Sequence, residues 1–174
     1  VPYESTYSTL FTGGYPKIHE LPSELYVDYW ESYLRTYVER DIRRIADISS
    51  LTTFSKFVAL LAALTAQEIN YSELGRELAI DRRTAQSWTD IVRGTYLWFS
   101  VPAFTRNTLK RIASKDKGYF SDTGFTCSLL HITGPDAISA HPSAGALFET
   151  FIITEIIKRF QSWPVKPGIF HFRS

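Results

Sequence analysis

A chain of 174 residues, 44% hydrophobic and 21% charged, is ordinary globular material, long enough for one medium domain or two small ones. A formal net charge of +1 excludes a strongly basic or acidic chain, and a single cysteine, Cys127, excludes an internal disulfide framework and a multi-cysteine zinc site. Aromatic residues make up 15% and supply a sizeable core.

No basic-then-apolar leader opens the sequence. Its longest apolar run, residues 57–64, is far below the roughly 20 residues of a bilayer span. A cytoplasmic protein with no membrane partner is expected. The chain starts at Val1 and has no Met, so it is expected to be a piece of a larger protein. Charge is unevenly spread. Residues 1–34 carry Lys17 against Glu4, Glu20, Glu24, Asp28 and Glu31. The stretch 76–117 is rich in Lys and Arg, which points weakly to an anionic partner.

Residues 1–20 read as irregular, with turn chemistry at Gly13-Gly14-Tyr15-Pro16. Pro22 and Ser23 then start a long helix. Its apolar pairs recur every four residues: Leu25/Tyr26, Tyr29/Trp30, Tyr33/Leu34, Tyr37/Val38, then Ile42 and Ile45. A four-residue repeat drifts about 40° per step, so the stripe winds round the helix and its ends bury against different neighbours. Tyr26, Tyr29 and Trp30 are therefore expected to lack part of their burial and to mark a partner surface. The Arg35, Arg40, Arg43 and Arg44 group with Glu39 and Asp41 reads as a salt-bridged exposed face, a nucleotide-sensing role being the alternative.

Thr52 or Thr53 is expected to cap the next helix. Phe54, Phe57, Val58, Leu60, Leu61 and Leu64 make it apolar on most sides and hence central. Asn70 with Glu73 is a capping-box-like start to a short helix spaced by Leu74 and Leu78. Ala79-Ile80-Asp81 forms a tight turn, and Asp81 caps a second helix. On a wheel, Thr84, Ala85, Trp88, Ile91 and Val92 share one arc. Arg82, Arg83, Gln86, Ser87, Asp90 and Arg93 share the other.

Two short helices joined this way match a helix-turn-helix. Arg82 and Arg83 are suited to phosphates or guanine edges, Gln86 to adenine and Ser87 to either. A strand-like run, 96–102, precedes a basic stretch with Arg106, Lys110, Arg111, Lys115 and Lys117, the expected cationic wing. The expected DNA contacts are therefore Arg82, Arg83, Gln86, Ser87, Arg106, Lys110, Arg111 and Lys115. The competing reading is that the same unit docks protein, and the acidic Asp90 on the exposed arc leans that way.

In the tail, Tyr119-Phe120-Ser121-Asp122 reads as a strand entering a turn at Thr123-Gly124, with Asp122 capping the turn. A helix over 146–160 presents Leu147, Phe148, Phe151, Ile152, Ile156 and Ile157 as its apolar face, and residues 168–173 read as a strand. Glu149 is either a buried hydrogen-bonded acid, the favoured reading, or a metal ligand. His19, His131, His141 and His171 lack metal-ligand spacing and read as structural or solvated.

Gly13-Gly14-Tyr15-Pro16, the run from Tyr33 to Ile42, the helix-turn-helix from Asn70, Lys110-Arg111, the run from Tyr119 to Gly124 and the run from Gly145 to Glu149 occur in that order. With them the chain resembles the uncharacterised C-terminal domain that follows the AAA-type ATPase module in many bacterial and archaeal ATP-binding proteins. Gly75 stands where that family more often has Ala, which weakens its helix. The resemblance implies a preceding ATPase module that supplies ATP and Mg²⁺ binding, since this chain has no phosphate loop. It also implies a winged helix and the opening of a restriction-endonuclease-like core, in which Glu149 matches a helical metal-binding Glu whose partners lie on later strands.

The expected fold is thus mainly α with small β. A connecting region with the aromatic helix (1–48) is followed by a winged helix (49–117) and an incomplete α/β part (118–174). The expected function is non-catalytic DNA binding by a fragment that itself holds no cofactor. Its candidate partners are duplex DNA, its own ATPase module and a second copy of the chain. The alternatives are a protein-docking regulator of the ATPase and the remnant of a Mg-dependent nuclease. Purified chain is expected neither to hydrolyse ATP nor to cut DNA with Mg²⁺. Both are checked by phosphate release and plasmid nicking, and cleavage abolished by Glu149→Ala overturns the expectation.

Overall fold

The computed structural model describes residues 3–42, 48, 50–106 and 114–172, the side chains of residues 3–5 and 39 excepted. It is mainly helical with one small sheet. Helix α1 spans Tyr3–Thr12. Two 3₁₀ turns, Pro16–Glu20 and Ser23–Leu25, lead into α2, Tyr26–Thr36. A π-helical turn, Tyr37–Ile42, follows. Next come α3 (Leu51–Ala63), β1 (Gln67–Glu68), α4 (Tyr71–Glu77) and α5 (Arg82–Gly94). Strands β2 (Trp98–Val101) and β3 (Lys117–Phe120) precede α6 (Thr123–Leu129), α7 (Pro135–Ser139) and α8 (Ala144–Gln161).

Local chemistry accounts for the middle of the chain. Ser50, rather than Thr52 or Thr53, caps α3: its Oγ accepts from the Thr53 N–H at 3.2 Å. The cap moved because Thr52 and Thr53 already lie in the first turn of the helix. Phe54, Phe57, Val58 and Leu61 are fully buried, as a central helix requires. Asn70 caps α4 by accepting from the Ser72 and Glu73 amides. Asp81 caps α5 by accepting from the Thr84 amide at 2.9 Å.

Gly75 has a packing reason. A Cβ there would meet the Ile80 carbonyl at 2.6 Å, where the chain doubles back from α4 into α5. Ala in its place would gain helix propensity and lose that close approach.

The sheet is antiparallel in the order β1-β3-β2, with Trp98 opposite Phe120 and Gln67 opposite Gly118. Strand β3 therefore runs across the expected 117/118 boundary and joins the sheet of the preceding unit. The tail adds no sheet of its own among the described residues. Where a strand over 168–173 was expected, His171 forms one parallel bridge with Ala103.

Three other expectations need correction. Residues 3–12 are helical, not irregular, because Leu10 buries beside Cys127, Ile132, Ile138 and Leu147. Thr123-Gly124 opens helix α6 rather than a simple turn. The long aromatic helix changes from α to π winding at Tyr37. Trp30 is buried, against expectation, whereas Tyr26 and Tyr29 are half-buried, as expected, beside the exposed Leu25 and Val27. Tyr15 and Phe125 meet the Trp30 ring edge-on and tilted, at 5.2 and 5.3 Å between centroids. Arg35, Arg40 and Asp41 are exposed, whereas Arg43 and Arg44 lie outside the described residues.

Helix α6 is the hub: six of its seven residues are buried, Ser128 being the exception. Its cap, Asp122, is only 5% exposed and holds two parts of the chain together. One carboxylate oxygen accepts from the Phe125 amide at 2.8 Å and the other from the Gly14 amide at 2.6 Å. Burial pushes this carboxyl above its ordinary range, against the pull of those amides and of Lys158. Gly13 has φ +73°, and a Cβ there would run into the same carboxylate.

Asp122→Ala is expected to destabilise the chain by about 1–3 kcal/mol, through the lost cap and the orphaned Gly14 amide. Gly13→Ala is expected to destabilise it as well. Because both act on one contact, urea unfolding of the double variant should show less than the sum of the two. Additive losses overturn the linkage.

Candidate nucleic-acid interface

Helix α5 carries the candidate surface. Ala85, Trp88, Thr89 and Val92 are buried, and Trp88 packs edge-on against Phe54 and Phe57 of α3. That anchoring leaves Arg82, Arg83, Gln86, Ser87, Asp90 and Arg93 exposed, the split the wheel requires.

Between α5 and the β2–β3 hairpin lies a polar cleft of about 500 Å³. Arg82, Gln86 and Arg93 line its helix side, Ser100 and Lys115 its hairpin side, and Ser72 its α4 edge. Asp116 is the acid in its lining. Arg93 ties helix to hairpin: one guanidinium nitrogen donates to Asp90 at 2.8 Å and the other to Ser100 at 3.1 Å. In the sequence the signal of this clamp is the Asp90/Arg93 spacing of three on an exposed face, which the helical wheel does not single out.

Of the sequence-derived contacts, the cleft gathers Arg82, Gln86 and Lys115. Arg83 and Ser87 are exposed on the same helix but do not line it. Arg106 is exposed and is not part of the lining either. Lys110 and Arg111 lie outside the described residues.

Elsewhere, Glu149 is not buried. One of its oxygens accepts from Tyr119 Oη at 2.7 Å and from Lys117 Nζ at 2.9 Å. Partial burial raises this carboxyl, but the Lys117 and Tyr119 hydrogen bonds and the Lys117 charge outweigh it and hold it below the usual range. Its described partners are thus a cation and a phenol, where a two-carboxylate metal site needs a second acid. No group of three or more His, Cys, Asp or Glu able to hold a metal occurs among the described residues. His19 bonds with the Gly13 carbonyl, and His141 Nδ1 accepts from the Ser143 amide. Burial pushes the Cys127 thiol up to about 12. No described helix is long and apolar enough to cross a membrane.

The lowered Glu149 carboxyl sets a pH window. Its contribution is complete above the ordinary carboxylate range and is lost as pH falls through the lowered value. Glu149→Gln should therefore cost about 0.2–1 kcal/mol at pH 7, the size of a part-exposed pair. The gap between wild type and variant in urea unfolding should close at acid pH. A gap that persists at pH 3 overturns this account.

Comparison with known proteins gives a family without an assigned activity. A model described as a domain of unknown function, DUF8612, matches residues 3–136. Uncharacterised proteins of Mycobacterium bovis (strain ATCC BAA-935 / AF2122/97) and Mycobacterium tuberculosis (strain ATCC 25618 / H37Rv) are each 26% identical to this chain over 126 residues. The match covers 72% of the chain but only 29% of either relative, so the chain spans well under half their length. No solved structure matches significantly. With most of its length matched by that model, the chain belongs to the DUF8612 family of domains of unknown function.

Proposed function

We propose that residues 51–120 form a winged helix that binds duplex DNA through α5 and the adjoining hairpin. Support comes first from element order: helix, strand, two helices, then a two-stranded hairpin, with β1 added to its edge. The observation that carries the reading is the cleft that sets Arg82 and Gln86 of α5 against Lys115 of the hairpin. Cations on two elements that face one groove suit a phosphate backbone, and the polar side chains on the same helix suit base edges.

The resemblance to C-terminal domains of ATP-binding proteins adds a preceding AAA-type ATPase module to this reading. The greater length of the mycobacterial relatives leaves room for one. In that setting the chain is a non-catalytic, cytoplasmic DNA-contacting module, and ATP and Mg²⁺ belong to the other part.

A second reading, protein docking, is favoured by one observation. Phe148, Ile152 and Ile156 lie four residues apart on α8 and are 49%, 42% and 37% exposed. An apolar stripe of that kind marks a surface that a partner covers.

The two readings separate on salt. If Arg82, Arg93 and Lys115 each neutralise one phosphate, the slope of log K against log salt is about −2.7. Affinity for duplex DNA then falls roughly 40-fold between 50 and 200 mM salt, as read by fluorescence anisotropy. Absence of binding at 50 mM salt, or binding indifferent to salt, overturns the DNA reading in favour of docking.

A further inference from the structure

The exposed arc of α5 is not uniform. With Arg82 set at 0° and about 100° added per residue, Arg93 falls at about 20° and Gln86 at about 40°. Asp90 falls at about 80°, Arg83 at about 100° and Ser87 at about 140°. The first three line the cleft and the last three do not. Two rows therefore run along one helix, with different surroundings.

The inner row faces a groove whose other walls carry Lys115, Ser72 and Ser100. Among its described lining residues three cations stand against one acid, Asp116, and the hydroxyls add neutral donors. That is the chemistry of a phosphodiester backbone, which takes positive charge and hydrogen-bond donors without regard to sequence. The outer row differs by holding Asp90. A carboxylate in that row repels phosphate, yet it can accept from the exocyclic amine of cytosine. Arg83 and Ser87 beside it carry donors suited to guanine and to either purine edge. The Asp90–Arg93 ion pair marks the border between the rows, and the hydrogen bond to Ser100 holds Arg93 on the cleft side.

On the DNA-binding reading above, we infer that the two rows divide the work. Arg82, Arg93 and Lys115 grip one strand's phosphates in the cleft and set affinity. Arg83 and Ser87, outside the cleft, face base edges and set sequence preference. Gln86 belongs with the grip rather than with base reading. The partner is therefore duplex DNA with a preferred sequence.

The test uses the full chain and a duplex that the wild-type protein selects from a random library, with a scrambled duplex as control. Arg82→Ala and Lys115→Ala should each lower the salt slope by about 0.9 and weaken both duplexes by the same factor. Arg83→Ala should reduce the ratio of selected to scrambled binding roughly 5- to 150-fold. Gln86→Ala should leave that ratio unchanged. If wild type binds neither duplex at 50 mM salt, the DNA reading itself falls. If it binds but Gln86→Ala or Arg82→Ala erases the preference while Arg83→Ala does not, only the division of rows is overturned. Wild-type binding without any sequence preference overturns it too.

Discussion

A buried carboxylate holds the two halves of this chain in register. Asp122 sits at the end of β3, caps α6 and receives the Gly14 amide from the far end of the sequence. An acid this deeply buried is tolerable only because backbone amides satisfy its oxygens. Through it the N-terminal segment is fixed over α6. The rings of Tyr15, Trp30, Tyr33 and Phe125 then close over that joint, and the Tyr15 and Tyr33 hydroxyls bond each other at 2.9 Å. Helix α3 packs on the same hub and carries Phe54 and Phe57, against which Trp88 of α5 rests. The orientation of the exposed arc of α5 therefore traces back, by packing, to one capped helix.

Helix α8 shows how a polar contact can decide which face of an apolar helix turns inward. Thr150 and Thr154 are buried, while Phe148, Ile152 and Ile156 face outward. The Thr150 hydroxyl meets that of Thr65 at 2.8 Å, and Thr65 also accepts from the Phe120 amide. A buried hydroxyl needs a partner, and Thr150 has one in the Ala146 carbonyl of its own helix and another in Thr65. A helix apolar on several sides cannot turn every apolar side to one core, so a stripe remains outside.

The surface of α5 is organised by charge more than by apolar area. Asp81, exposed at its start, caps the helix and occupies the amides that would otherwise face an anion. Arg93, held by Asp90 and Ser100, is fixed in direction before any partner arrives. A preorganised side chain loses less entropy on binding than a free one, and Arg93 is held in this way. The Ala79 residue with φ +53° and the close pass at Gly75 fix the angle between α4 and α5, and so the shape of the cleft.

By itself the sequence determined what depends on neighbours a few residues away. Asn70 and Asp81 name two helix starts because a cap needs only its own next three residues. The wheel split of α5 and the burial of Phe54, Phe57, Val58 and Leu61 on α3 follow from spacing alone. What it could not determine rests on distant partners. The residues of α1 and α6 are poor or unpatterned helix formers, yet both fold as helices because Leu10 and Phe125 find buried places beside other elements. Tertiary structure alone placed Gly14 on Asp122, turned Thr150 inward, lent β3 to the sheet of the preceding unit and sorted the exposed residues of α5 into those lining a cleft and those outside it. Each of these depends on a contact between residues far apart in sequence, and local propensity carries no term for such a contact.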